Sequence, residues 1–111
     1  MFVCARNRLR SPTAEQHFAG WPGVETASAG LRRDADVPLG PELLEWADLV
    51  FVMERRHRAQ LAGRFGLALR GRRVICLEIP DRFAFMAPEL IERLEARVVP
   101  HLRARAPLPP G

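Results

Sequence analysis

The sequence predicts an α/β fold in which a parallel sheet is built from βαβ units. Three observations carry this. Short apolar runs alternate with stretches of helical character, the pattern that parallel strands joined by helices require. At 111 residues the chain can bury one apolar core without disulfides or metals to hold it together. Its two cysteines, Cys4 and Cys76, lie far apart with no Cys-x-x-Cys or His-rich spacing, which argues against a zinc site or a secreted disulfide framework.

Taken in order, strands are expected near Phe2–Cys4, Val24–Ser28, Asp48–Met53 and Arg73–Ile79. Helices are expected over Pro12–Gly20, Pro41–Trp46 and Glu54–Phe65, with a last one from Pro88 to about Arg103. Ser11-Pro12 reads as an N-cap followed by proline at the first helical position, with Glu15 a turn further in. Pro88 opens the last helix in the same way, and Leu90, Ile91, Leu94 and Val98 recur on one helical face. Residues 1–106 form one expected domain; the ending APLPPG holds too much proline to continue a helix, so 107–111 are expected to fray.

The formal net charge is +4, all 17 basic residues are arginine, and lysine and tyrosine are absent. So complete a bias reflects base composition of the coding sequence more than selection site by site, but the positive charge still favours anionic partners. No N-terminal basic-then-apolar segment occurs, and no run reaches the ~18 apolar residues of a membrane span. A soluble, cytoplasmic protein without cofactor is expected.

In an open parallel sheet, ligands bind beyond the carboxyl ends of the strands, near a switch in strand order. The loop after the first strand is therefore the first place to look. It runs from Cys4 to Ser11 and leads directly into a helix. Backbone amides of Ala5, Arg6, Asn7, Arg8 and Leu9, curled ahead of a helix N-terminus, form a nest for an anion such as phosphate. Cys4 at its base sits in a field that favours the thiolate. Arg10 offers a planar fork for two phosphoryl oxygens, Ser11 a hydroxyl for the sulfur, and Asn7 tolerance of left-handed backbone. With 17 arginines in 111 positions, an arginine six residues after a given cysteine arises by chance about one time in six or seven. The strand before and the Ser-Pro after carry the signal.

At these residues the chain resembles the low-molecular-weight protein tyrosine phosphatases, which read Val-Cys-x-Gly-Asn-x-Cys-Arg-Ser-Pro-x-Ala-Glu. Val3, Cys4, Asn7, Arg10, Ser11, Pro12, Ala14 and Glu15 match. The likeness continues at SAG (Ser28 to Gly30) and at ADLVFVMERRHRAQL. It implies a three-layer α/β/α sandwich around a four-stranded parallel sheet. Arg6 stands in place of a glycine, Arg8 in place of a small apolar or hydroxyl residue, and Leu9 where a second cysteine is common. Without that neighbour, Cys4 lacks a local disulfide against overoxidation.

The resemblance implies a cysteine-dependent phosphomonoesterase acting on phosphotyrosine in a protein, with Cys4 as nucleophile and Arg10 gripping the phosphoryl group. The proton donor is expected at Asp81, after the fourth strand in IPDRFAFM, with Phe83 and Phe85 walling a pocket. Asp34 and Asp36 are the alternatives, while Asp48 starts its strand at the opposite edge and reads as structural. The family carries Asp-Pro here, whereas this chain has Pro80-Asp81. The substrate-binding set is then Ala5, Arg6, Asn7, Arg8, Leu9, Ser11 and Phe83. Arg6 and Arg8 are expected to point outward and to favour acidic substrates.

Other readings are a phosphatase of nucleotide or RNA phosphates, an arsenate reductase-like thiol enzyme, or a phosphate- or nucleic-acid-binding module without turnover. The thiol reading needs resolving cysteines, and Cys76 falls inside a strand. His17, His57 and His101 have no metal-ligand spacing and read as surface or packing residues. Arg55, Arg56 and Arg58 read as a solvated helix face, and Trp21 and Trp46 as core or rim aromatics.

Overall fold

Four parallel strands are laid down with a helix between each pair and one after the last, in a computed structural model that describes residues 1–105. The elements are β1 (Phe2–Cys4), α1 (Arg10–Phe18), β2 (Ser28–Gly30), α2 (Pro41–Trp46), β3 (Leu49–Val52), α3 (Arg55–Phe65), β4 (Arg73–Cys76) and α4 (Pro88–Arg105). The strand order is β2-β1-β3-β4. The chain steps from β1 outward to β2, then crosses to the other side of β1 to lay down β3. That reversal puts the topological switch point at the carboxyl end of β1.

Alternation along the strands sorts the core into two layers. Phe2, Cys4, Leu49, Phe51 and Met53 face one side, where they pack with Ala14 and Phe18 of α1 and Leu90, Leu94 and Val98 of α4. Met1, Val3, Ala29, Val50 and Val52 face the other, against Leu44 of α2 and Leu61 of α3. Both faces of the sheet are covered, which is why these strands read as continuous apolar runs. Leu90, Leu94 and Val98 are completely buried, and burying each such side chain contributes about 1.5–3 kcal/mol. Helix α4 runs on through Pro100, which removes one hydrogen-bond donor from the helix interior. Among the described residues no helix is long and apolar enough to cross a membrane.

Three sequence expectations shift. The second strand lies at Ser28–Gly30, not Val24–Ser28. Its pairing explains this: Phe2 pairs with Ser28 and Cys4 with Gly30, so residues before Ala27 have no partner on β1. Helix α1 starts at Arg10 with Leu9 as a cap that makes no side-chain hydrogen bond. Ser11 is thus inside the first turn, not the N-cap, and its hydroxyl is turned inward. The fourth strand ends at Cys76 because the backbone at Glu78 turns to φ 54°, although the amides of Leu77 and Ile79 still bond the carbonyls of Val52 and Met53 at 2.8 Å. The fraying expected of 107–111 lies outside the described residues.

Gly30 is where sheet and loop approach most closely. A Cβ there would lie 2.5 Å from the Ala35 Cβ, 2.7 Å from the Ala5 carbonyl oxygen and 2.9 Å from the Arg6 carbonyl carbon. Two of these are backbone atoms of the loop after β1, which cannot swing aside as a side chain does. Gly30→Ala is expected to lower stability by about 1–3 kcal/mol through overpacking, measured by urea unfolding. An unchanged midpoint would show that the loop does not rest on β2.

Candidate active site

The loop after β1 is held from outside by the segment after β2. The carbonyls of Cys4, Ala5 and Arg6 accept hydrogen bonds from the amides of Leu31 (2.9 Å), Arg32 (2.9 Å) and Asp36 (3.1 Å). In a planar trans peptide the N–H points opposite the preceding C=O. The amides of Ala5, Arg6 and Asn7 therefore face the inner side of the curl. One of them is tied down: the Asn7 N–H donates to the Cys4 Sγ at 3.2 Å. Asn7 sits at φ 57°, a conformation asparagine adopts more readily than most residues. At the end of the curl, the amides of Arg10 and Ser11 begin α1 and have no acceptor within the helix.

A short relay of polar groups surrounds the sulfur. Asn7 Nδ2 donates to Ser11 Oγ at 2.9 Å, and Ser11 Oγ lies 3.0 Å from Cys4 Sγ. A hydroxyl has one hydrogen and two acceptor lone pairs, so Ser11 can accept from Asn7 and still give its hydrogen to the sulfur when Cys4 carries none. The arrangement suits a thiolate, which accepts two hydrogen bonds and donates none.

Arg10 closes the site. Its side chain is only 2% exposed, and Nη1 donates to Glu54 Oε2 at 2.9 Å and to the Ile79 carbonyl at 2.8 Å. Nε lies 3.7 Å from Asp81 Oδ1. One guanidinium thus joins the start of α1, the start of α3 and the segment after β4. Asp81 itself is largely exposed, at the rim.

The fold brings together Cys4, Asn7, Arg10, Ser11 and Asp81, with Ala5 half-buried between them. Arg6, Arg8 and Leu9 turn outward. Arg8 makes an exposed 3.4 Å contact with Asp36, while Arg6 has no ion-pair partner among the described residues. Phe83 packs against the core between the guanidinium groups of Arg82 and Arg93, 5.3 and 5.4 Å from its ring centre. The aromatic beside the loop is Phe85, 46% exposed. With Asn7, Arg8, Pro12, Val37 and Leu43 it lines an open cavity of about 560 Å3. Asp34 is paired with Arg32 at 2.9 and 3.0 Å, and that hydrogen bond holds its carboxyl below the usual value. Such a group is a poor proton donor near neutral pH.

Two site residues escaped the sequence reading, Glu54 and His57. Glu54 is the N-cap of α3; burial pushes its carboxyl up, but hydrogen bonds and charge from Arg10 and Arg56 outweigh this and hold it below its ordinary value. His57 is 1% exposed, and its Nδ1 accepts the Glu54 amide at 3.1 Å. Burial, followed by the Arg10 charge, lowers its pKa to about 4. The available signal was the placement of a carboxylate directly after a strand, with a residue able to cap in return three positions later.

No protein-family model and no curated protein matches the chain. Solved structures do. The tyrosine phosphatase Wzb from Escherichia coli K30, in complex with phosphate, superimposes with a TM-score of 0.75 at 22% identity, over 95% of this chain and 96% of that one. A YwlE arginine phosphatase variant with a phosphorylated active-site serine gives 0.70 at 25% identity, over 94% and 95%. A YwlE mutant from Bacillus subtilis gives 0.64 at 26% identity, over 92% and 96%. With its β2-β1-β3-β4 parallel sheet and these matches over nearly the full length of each chain, the protein has the fold of the low-molecular-weight tyrosine phosphatases.

Proposed function

We propose that this chain is a phosphoric monoester hydrolase that works through a phosphocysteine at Cys4, with phosphotyrosine in a protein as substrate. The observation that carries the reading is the Cys4 sulfur, which accepts from the Asn7 amide and lies 3.0 Å from the Ser11 hydroxyl oxygen, in the same loop that delivers the buried Arg10. The known phosphatases of this fold support it: one is a tyrosine phosphatase bound to phosphate, and another carries a phosphoryl group on an active-site serine.

In the first step the Cys4 thiolate attacks phosphorus, forming an S–P bond as the P–O bond to the leaving group breaks. Asp81 gives its proton to the departing oxygen. In the second step the Asp81 carboxylate takes a proton from water, the water oxygen attacks phosphorus, and the S–P bond breaks. Orthophosphate leaves and the thiolate is restored, steadied by Ser11. Charge on the equatorial oxygens is met throughout by loop amides and Arg10. The open cavity beside the loop, with Val37 and Phe85 exposed, leaves room for residues flanking a phosphorylated side chain.

The thiol redox reading is disfavoured by the placement of the cysteines. Cys4 belongs to the layer under α1 and α4, whereas Cys76 packs against the opposite layer, so the sheet stands between them.

Cys4→Ser is expected to abolish turnover of a phosphotyrosyl peptide while leaving the circular dichroism spectrum and phosphate binding intact; undiminished turnover sinks the mechanism. Arg10→Lys should lower kcat/KM about 10²–10³-fold, because a point charge loses the paired hydrogen bonds. Turnover of a phosphoarginyl peptide in place of the phosphotyrosyl one would reassign the leaving group and keep the rest.

Asp81→Asn should slow release of tyrosine far more than release of a strongly acidic phenol, which needs little protonation. Equal slowing of both substrates would move the acid away from Asp81. For the rim, Arg6→Gln combined with Arg8→Gln is expected to reduce kcat/KM for acidic phosphopeptides more than for a neutral aryl phosphate. The difference should fade as salt shortens the screening length to about 10 Å at 0.1 M. Parallel changes for both substrates at low salt would exclude a role for the rim in selection.

A further inference from the structure

We propose that Thr13 is a positioning residue for proton donation: its buried hydroxyl ties the segment that carries Asp81 to the end of the loop that carries Cys4. The inference rests on Asp81 being the proton donor of the proposed phosphatase site.

Asp81 depends on its backbone for its place. Its side chain is 58% exposed, and its one ion contact among the described residues is with Arg10 Nε at 3.7 Å, beyond hydrogen-bond distance. Where the carboxyl stands is therefore set by the segment 79–86. The backbone is bent into the left-handed region at both ends of it, at Glu78 with φ 54° and at Met86 with φ 59°. Neither residue is glycine, and such a bend persists in a long side-chain residue only where the surroundings fix it.

The front of the segment is fixed at Ile79, whose amide donates to the Met53 carbonyl at 2.8 Å and whose carbonyl accepts from Arg10 Nη1 at 2.8 Å. In the middle, Phe83 packs against the core with the guanidinium groups of Arg82 and Arg93 over its ring. The rear is fixed by Thr13 of α1, which is completely buried. Its Oγ1 accepts the Met86 amide at 3.0 Å and donates to the Leu9 carbonyl at 2.6 Å. A hydroxyl has one hydrogen and two lone pairs, so both bonds are made at once. Leu9 caps α1 and ends the loop after β1. One oxygen thus joins the segment bearing the acid to the loop bearing the nucleophile. Without it, the Met86 amide loses its acceptor and the left-handed bend its tether, and Asp81 is free to drift from the leaving oxygen.

The test compares phenyl phosphate with a dinitrophenyl phosphate on the purified full chain. The two differ little in size, but only the first leaving group needs a proton. Thr13→Val keeps the shape and removes the hydroxyl. It is expected to lower kcat/KM for phenyl phosphate about 10–100-fold, the effect of misplacing a reacting group by about an ångström, and for the dinitrophenyl ester less than about threefold. Thr13→Ser, which restores the hydroxyl, should recover most of the loss. In the Asp81→Asn background, Thr13→Val should cost little more, since both act through one proton transfer. Equal loss on both substrates, or Thr13→Val activity within about twofold of wild type on both, overturns the inference and leaves the phosphatase reading standing. In the wild-type protein the Met86 amide should exchange its hydrogen at least about tenfold more slowly than an unstructured amide; exchange at the unstructured rate overturns the inference whether or not Thr13→Val folds. Should Asp81→Asn itself slow both substrates alike, the acid lies elsewhere and the inference fails with that assignment.

Discussion

A guanidinium shielded from water has to be answered on several sides, and the answers given to Arg10 organise this molecule. A buried charge without partners costs several kcal/mol. Here the partners come from the cap of α3 and a carbonyl beyond β4, with the Asp81 carboxylate nearby. These segments lie more than forty residues from Arg10 in the chain, so the contacts form only when the parallel sheet is assembled. The same contacts use both hydrogens of Nη1 and leave the other guanidinium donors outside them. Three segments of the fold therefore depend on a single side chain.

Sheet topology explains why the loop can be so short. Five residues, 5–9, connect β1 to α1, and their outer carbonyls are taken by the segment after β2. That arrangement requires β2 to run alongside β1 and end in a residue without a side chain. Gly30 meets the need, since any Cβ would strike the loop backbone. With its carbonyls turned outward and held, the loop presents amides inward in fixed directions before any ligand arrives. Preorganised dipoles of this kind stabilise developing charge without rearranging at the moment of reaction.

Polarity is graded across the site. Cys4, Asn7, Arg10 and Ser11 are buried, whereas Asp81, Arg6 and Arg8 stand in or near solvent. The buried groups are packed and hydrogen-bonded, while those at the rim are open to solvent. Phe83 follows the first pattern, stacked between two arginines, and Phe85 the second.

Strand and helix alternation, apolar runs on both sheet faces and the Cys4-to-Pro12 stretch were legible in the sequence because each depends on neighbours a few residues apart. Cys4, Arg10, Ser11 and Asp81 could be named as candidates from loop position and spacing. The exact place of β2 was not legible: Val24 and Thr26 alternate as well as any strand, and only the register against β1 decides for Ser28–Gly30. Ser11 looked like a cap because Ser-Pro commonly is one; the sulfur and Asn7 claimed its hydroxyl instead. Glu54 and His57 remained hidden for a deeper reason. In sequence the local pattern marks them only as a strand end followed by a helix cap and its reciprocal partner, and that pattern says nothing of Arg10. What makes them part of the site is a guanidinium that begins forty-four residues earlier, and a contact at that separation is set by the packing of the sheet and its helices, not by any pattern along the chain.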